Sequence, residues 1–131
     1  MRRAARFGDG ILPYFVTPEK YTELREEVAE LLAAEGRGDA PFHFATALFV
    51  SVAKTVEEGR QAAVDYIRWQ YGMDGEPLVD RYAIYGPPDR CADRYSQYVA
   101  AGVRHFVNIP AGKGTYTEQL QSIAEVANGL R

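Results

Sequence analysis

Cysteine, histidine and long apolar runs are scarce in this sequence. The single cysteine, Cys91, in 131 residues excludes an internal disulfide and a cysteine-rich metal cluster, and it favours a reducing compartment, with the cytoplasm as the expectation. Two histidines, His43 and His105, each beside a phenylalanine and without a clustered carboxylate, make a poor metal site. No metal is expected, and structural roles are favoured for both. No apolar run approaches the ~20 residues of a membrane-spanning helix, and no signal-type apolar region follows the basic start Met1-Arg2-Arg3-Ala4-Ala5-Arg6. Neither membrane nor export is therefore expected. Charge of one sign is not massed either: the net charge of -3 comes from interspersed acidic and basic residues, which leaves no footprint for nucleic acid.

With 47% hydrophobic and 25% charged residues, the chain suits one α/β domain over residues 1–131. The clearest junction is Ala100-Ala101-Gly102-Val103, where a helix stops at a glycine that tolerates a left-handed backbone and an apolar strand, residues 103–109, begins at once. Pro110 closes that strand. Two more strands are predicted, at residues 11–16, where Pro13 suits an end or a bulge, and at residues 42–53, which over 47–52 are apolar enough to be covered on both faces.

Helices alternate with these strands. Residues 2–7 read as the tail of one, stopped by Gly8. Thr17-Pro18-Glu19 opens a second, with Tyr21, Leu24, Val28, Leu31 and Leu32 on one face and Gly36 at its end. Thr55 and Glu58 form a capping box for a third, with Ala62, Ala63, Tyr66 and Ile67 inward and Gly72 beyond it; Thr115 and Glu118 do the same for the last, with Leu120, Ile123, Ala127 and Leu130 inward. Pro88-Asp89 starts another, with Ala92, Tyr95 and Val99 on one face. Residues 73–80 read as a loop or irregular insert, and residues 82–85 as a strand or a helical turn. Three strand-then-helix units with right-handed crossovers give three parallel strands with outer helices and two open sheet edges.

The stretch Arg2-Arg3-Ala4-Ala5-Arg6-Phe7-Gly8-Asp9-Gly10-Ile11-Leu12-Pro13 resembles the R-R-A-A-R-x-x-D-G-W-x-P segment of the bacterial luciferase-like oxidoreductases. Residues 49–58 are similar to that family's seventh strand and following helix, and residues 85–107 to its G-T-P-E-E-V helix and eighth strand. The resemblance implies a partial (β/α)8 TIM barrel, the last three of eight units of a fold of roughly 250 residues. It further implies FMN or a deazaflavin as cofactor, a small-molecule substrate, and hydride transfer or monooxygenation in the complete form. The family's glycine-rich phosphate turn precedes R-R-A-A-R, and Met1 stands in its place, so weak cofactor binding by this chain alone is expected. Pro87 replaces the threonine that usually caps the family's penultimate helix.

Candidate site residues follow. Arg2, Arg3 and Arg6 can meet a cofactor phosphate through bidentate guanidinium contacts, with solvated surface arginines as the competing reading. Tyr14 and Asn108 fall near the C-terminal ends of strands, where barrel enzymes place substrate contacts. No catalytic residue is assigned. Gly112-Lys113-Gly114-Thr115 lacks the full phosphate-loop pattern and reads as a flexible loop whose Lys113 can still meet an anion. Cys91 reads as a packed thiol, and Trp69, Tyr66, Tyr71, Tyr95 and Tyr98 as helix-to-sheet packing or a subunit interface. The bare inner sheet face predicts a homodimer, or a partner chain supplying strands, with Phe49, Phe106 and Val107 in or near the shared core. The alternative to an oxidoreductase is a non-catalytic α/β oligomerisation module or enzyme remnant.

Overall fold

The computed structural model describes residues 1–130. In chain order the elements are α1 (Arg2–Phe7), β1 (Gly10–Ile11), α2 (Pro18–Ala34), β2 (His43–Val52), α3 (Val56–Tyr71), α4 (Glu76–Tyr82), β3 (Ile84–Gly86), α5 (Pro88–Ala100), β4 (His105–Pro110) and α6 (Tyr116–Asn128). β2 is the hub of an open four-stranded sheet, since β1, β3 and β4 all pair with it. β1 joins its start in parallel (Ile11 opposite Phe44) and β3 its end (Val52 opposite Gly86). β4 also runs in the sense of β2: Arg104 N–H donates to Phe44 O near its start and Ala111 N–H to Val50 O near its end. The chain forms two compact units, residues 1–47 with 98–107, and residues 48–97 with the chain from 108 onward.

In the first unit, Ala5, Ile11, Val28 and Leu32 make the core, flanked by Leu24, Leu31, Phe42 and Phe44. Two tyrosines are sealed in with their hydroxyls satisfied: Tyr21 donates to Ala45 O at 3.0 Å and Tyr98 to Val16 O at 2.8 Å. The first strand is shorter than the predicted 11–16. Pro13 has no N–H to continue the ladder, although its carbonyl still accepts from Ala47 N and Thr46 Oγ1, both at 3.1 Å. Phe15 then turns the chain away with φ of 49°. At the other junction Gly102 takes φ of 104° as expected, but Val103 N–H is still spent on Tyr98 O. The helix end thus consumes the first residues of the predicted strand, and β4 starts at His105.

In the second unit, Phe49, Ala63, Val64, Ile67, Val79, Ala83 and Ala111 form the core. Residues 73–80, expected to be irregular, hold most of α4, which begins at Glu76 and runs on to Tyr82. Asp74 Oδ1 accepts from Glu76 N at 3.1 Å, Pro77 sits in the first turn, and Arg60 of α3 clamps the helix through Asp80 (2.7 Å) and Glu76 (2.9 Å). Residues 84–86 resolve the open choice after it as a strand.

Helix faces also shift by a residue. α5 buries Cys91 and Tyr95 while Val99 is exposed, and α6 buries Gln119, Ile123 and Val126 while Leu120 is exposed. Trp69 and Tyr71 lie at the surface rather than in the core. Phe49 is closed off by the chain's own α3 and α4, whereas Val107 is exposed.

Candidate functional site

The C-terminal ends of β2 and β4 in the second unit carry the densest polar chemistry. β2 ends at Val52, Lys54 comes two residues later, and Thr55 caps α3, its hydroxyl accepting from Glu58 N at 3.2 Å. Where β4 ends, Gly112-Lys113-Gly114 leads into α6, which has a complete capping box: Thr115 Oγ1 accepts from Glu118 N at 3.2 Å, and Glu118 Oε2 accepts from Thr115 N at 2.7 Å. Those bonds hold the Glu118 carboxyl below its ordinary value, with the Thr115 backbone amide the largest cause.

The loop 112–114 is not slack, contrary to the expectation of flexibility. Gln119, 7% exposed, accepts from Val52 N at 3.3 Å and donates to Val52 O at 3.2 Å and Lys113 O at 2.8 Å. Its amide fills the space a β-carbon at Gly112 would need, and Gly114 takes φ of 96°. Gly114 is favoured by its backbone hand, and a β-carbon at Gly112 would make the Gln119 amide give up its bonds. Lys54 and Lys113 line a cleft of about 330 Å³ with Val52, Ala53 and Glu58. Lys113 also lines a neighbouring cleft of about 290 Å³ with Ala62, Asp65, Tyr66, Trp69, Ala111 and Gly112. Gln119 had no signal in the sequence beyond its position on the last helix; only the paired glycines around Lys113 hinted at it.

The residues nominated from sequence fall as follows. Arg2, Arg3 and Arg6 are exposed on the six-residue α1, whose Met1 cap supplies no side-chain bond; Arg6 lies 4.0 Å from Glu35 and over the Phe7 ring. Tyr14, 49% exposed, leans on Phe15 with ring centroids 6.3 Å apart. Asn108 is half-buried, and its Oδ1 accepts from the sealed Tyr95 hydroxyl at 2.6 Å, leaving Nδ2 as its remaining donor. His43 and His105 stack edge to face at 5.3 Å, both exposed. Among the described residues, no group of three or more His, Cys, Asp or Glu is placed to hold a metal ion. Cys91 is fully buried, Sγ donating to Gly86 O at 3.4 Å, and desolvation pushes its pKa up to about 11, which makes it a poor nucleophile. No helix among the described residues is long and apolar enough to cross a membrane.

An open parallel sheet with helices between its strands and polar side chains at its strand C-termini is common to doubly wound α/β folds and to segments of (β/α)-barrels. The sequence profile of the luciferase-like monooxygenases matches residues 1–77, more than half of the chain, and the chain belongs to that family. No curated protein matches it significantly in sequence. Among solved structures, it resembles an F420-dependent secondary alcohol dehydrogenase in complex with an F420-acetone adduct, with a TM-score of 0.81 at 12% identity over 99% of this chain and 45% of that one. It also resembles the coenzyme F420-dependent tetrahydromethanopterin reductase from Methanopyrus kandleri, with a TM-score of 0.73, 17% identity, and 99% and 48% of the two chains covered. A monooxygenase from Streptomyces bottropensis follows at a TM-score of 0.69, 17% identity, and 98% and 43% coverage. The chain thus spans less than half the length of these structures, and at such identities the likeness shows the fold: a partial TIM barrel.

Proposed function

We propose that the chain acts as the last three units of a flavin- or deazaflavin-dependent luciferase-like oxidoreductase, catalysing hydride transfer or monooxygenation of a small molecule. The observation that carries this reading is the family match over residues 1–77, joined to a fold likeness covering nearly the whole chain. When bound, FMN or a deazaflavin supplies the redox chemistry.

Of this chain's residues, the guanidinium groups of Arg2, Arg3 and Arg6 have the donor chemistry for its phosphate, and Tyr14 and Asn108 the position for substrate contacts. None of the three arginines lines either cleft at the strand ends. Their exposure supports a phosphate-anchoring role, and the reading assigns the redox step to no residue of this chain. The proposed setting is the cytoplasm.

Assembly is proposed as a homodimer, or with a partner chain that supplies strands. Supporting this are the open sheet and the exposed run Phe7, Leu12, Tyr14 and Phe15, at 75%, 49%, 49% and 36% exposure. The same surface supports the second reading, a non-catalytic oligomerisation module. One experiment separates the readings: the assembled protein is titrated with FMN and with a deazaflavin, followed by cofactor fluorescence, then assayed for turnover with the reduced cofactor. Binding weakened by Arg2→Ala with Arg3→Ala, together with turnover, supports the oxidoreductase. Stable assembly with neither binding nor turnover rejects it in favour of the module.

A further inference from the structure

We propose that the aromatic cleft between α3 and the 112–114 loop is a binding site for a planar aromatic molecule carrying one anionic group, with Lys113 as the anion's anchor. The inference stands on residues of the second unit alone and does not depend on the cofactor reading.

Its first observation is the wall. Tyr66 and Trp69, one turn apart on α3, have ring centroids 6.0 Å apart, and Trp69 is 77% exposed. Tyr66 is anchored from behind by Phe49, 6.1 Å away, and Phe49 in turn meets Tyr71 edge-on at 5.9 Å. Desolvation raises the Tyr66 pKa, in keeping with a phenol packed between Phe49 and Trp69. An apolar indole left in water beside a supported tyrosine, over a floor of Ala62 and Ala111, is a stacking platform: any π-face is received, at little conformational cost.

The second observation is the cation. Lys113 borders both this cleft and the neighbouring one that holds Lys54, and its backbone is pinned by Gln119 between two glycines. A loop so determined in its backbone fixes where its one long, exposed side chain starts, and that side chain lines both clefts. The carboxylate lining this cleft is Asp65. Asp65 accepts from Gln61 Nε2 at 2.9 Å and lies 3.8 Å from Arg68, so its charge is partly engaged. With Asp65 so engaged, Lys113 supplies this cleft's available positive charge, and the neighbouring cleft adds Lys54 against Glu58. A stacking wall beside an ammonium group selects an aromatic anion over an aliphatic one and over a neutral aromatic.

Trp69 is the only tryptophan in the chain, so its fluorescence reports this cleft directly. The probes are benzoate, benzamide and cyclohexanecarboxylate, titrated into the full chain with parallel recording of the backbone amide resonances of Gly112 and Gly114. Saturable quenching is expected with benzoate, together with shifts of both glycines, and weaker responses from the other two. Lys113→Met is expected to weaken benzoate by about fivefold and leave benzamide unchanged. Trp69→Leu, read by the glycine resonances, is expected to weaken it by about tenfold. Equal binding of all three probes, or shifts that avoid Gly112 and Gly114, would overturn the proposal. So would a Trp69 signal that follows protein concentration and not ligand, which would make the patch a contact between copies. Both substituted side chains are exposed, so the variants keep the fold, and their circular dichroism is the control.

Discussion

Replacing Gly59 with alanine tests the packing that holds the strand ends together, because two effects of similar size oppose each other there. Gly59 lies in the first turns of α3, where alanine is intrinsically better than glycine by about 1 kcal/mol. A β-carbon at that position would stand 2.5 Å from Gly86 N, 3.0 Å from Gly86 Cα and 3.1 Å from Ser51 O. All three are backbone atoms of the paired strands β2 and β3, in register at Ser51 with Tyr85 and Val52 with Gly86. They cannot swing aside as a side chain can; α3 must lift or the ladder must break. Overpacking a well-filled site costs about 1–3 kcal/mol, and a clash with ladder backbone falls in the upper part of that range. The net expectation for Gly59→Ala is a loss of about 1–2 kcal/mol.

Gly38→Ala is the matched control. The nearest atoms there are Ala33 Cα at 3.7 Å and Cβ at 3.9 Å, an ordinary contact. Restricting the unfolded chain should then stabilise by about 0.4–1 kcal/mol. Urea midpoints with an unchanged slope measure both. If Gly59→Ala matches or exceeds the wild type, the close approach of α3 to β3 is wrong.

Two further outcomes follow from the strand-end site and the buried titratable groups. Gln119→Leu removes three bonds and strands Val52 N–H and two carbonyls, so a loss of about 1–3 kcal/mol is expected, with faster amide exchange confined to 112–114; protection retained in that loop would contradict the locking role. At high pH, Tyr21, raised to about 12 by desolvation, and Cys91, raised to about 11, keep their protons in the folded state while the unfolded chain loses them from about pH 9 for the thiol and about pH 10 for the phenol. The unfolded state binds fewer protons in those windows, so stability falls as pH rises, by about 1.4 kcal/mol per unit for each group at most. Urea midpoints that stay flat between about pH 9 and about pH 11 would refute it.

Much of the fold could be read because its signals are local. Thr17 with Pro18, and Thr55 and Thr115 with their glutamates three residues on, announce α2, α3 and α6 by satisfying the orphan amides of a first turn, and each cap is present. β2 was legible within a residue at each end because apolar and β-branched residues dominate it, with Thr46 and Ser51 as small, strand-compatible interruptions. α4 was missed because Gly75 and Pro77 read as breakers. In fact Pro77 occupies the first turn, where its missing N–H costs nothing, and Gly75 is there because a β-carbon would strike Val64 O at 2.8 Å. Helix faces slipped by a residue in α5 and α6 because their partners come from distant chain: Tyr98 is drawn inward by Val16 O, and Gln119 by Val52.

The loop at 112–114 shows why the candidate site lay largely out of sight. A glycine pair around a lysine is ambiguous by composition, since the missing β-carbons lower the barrier to motion and equally make room for a neighbour. What decides between these is whether something fills the room. Here a glutamine five residues past Gly114 folds its amide back onto the end of β2 and takes the volume beside Gly112, while Glu118 does so beside Gly114. That partnership spans 67 residues between Val52 and Gln119, so no window along the chain contains both halves of it. The same separation ties the loop to two strand ends at once: the backbone of Lys113 is held by a side chain that also bonds the end of β2, as a residue on an unanchored loop is not.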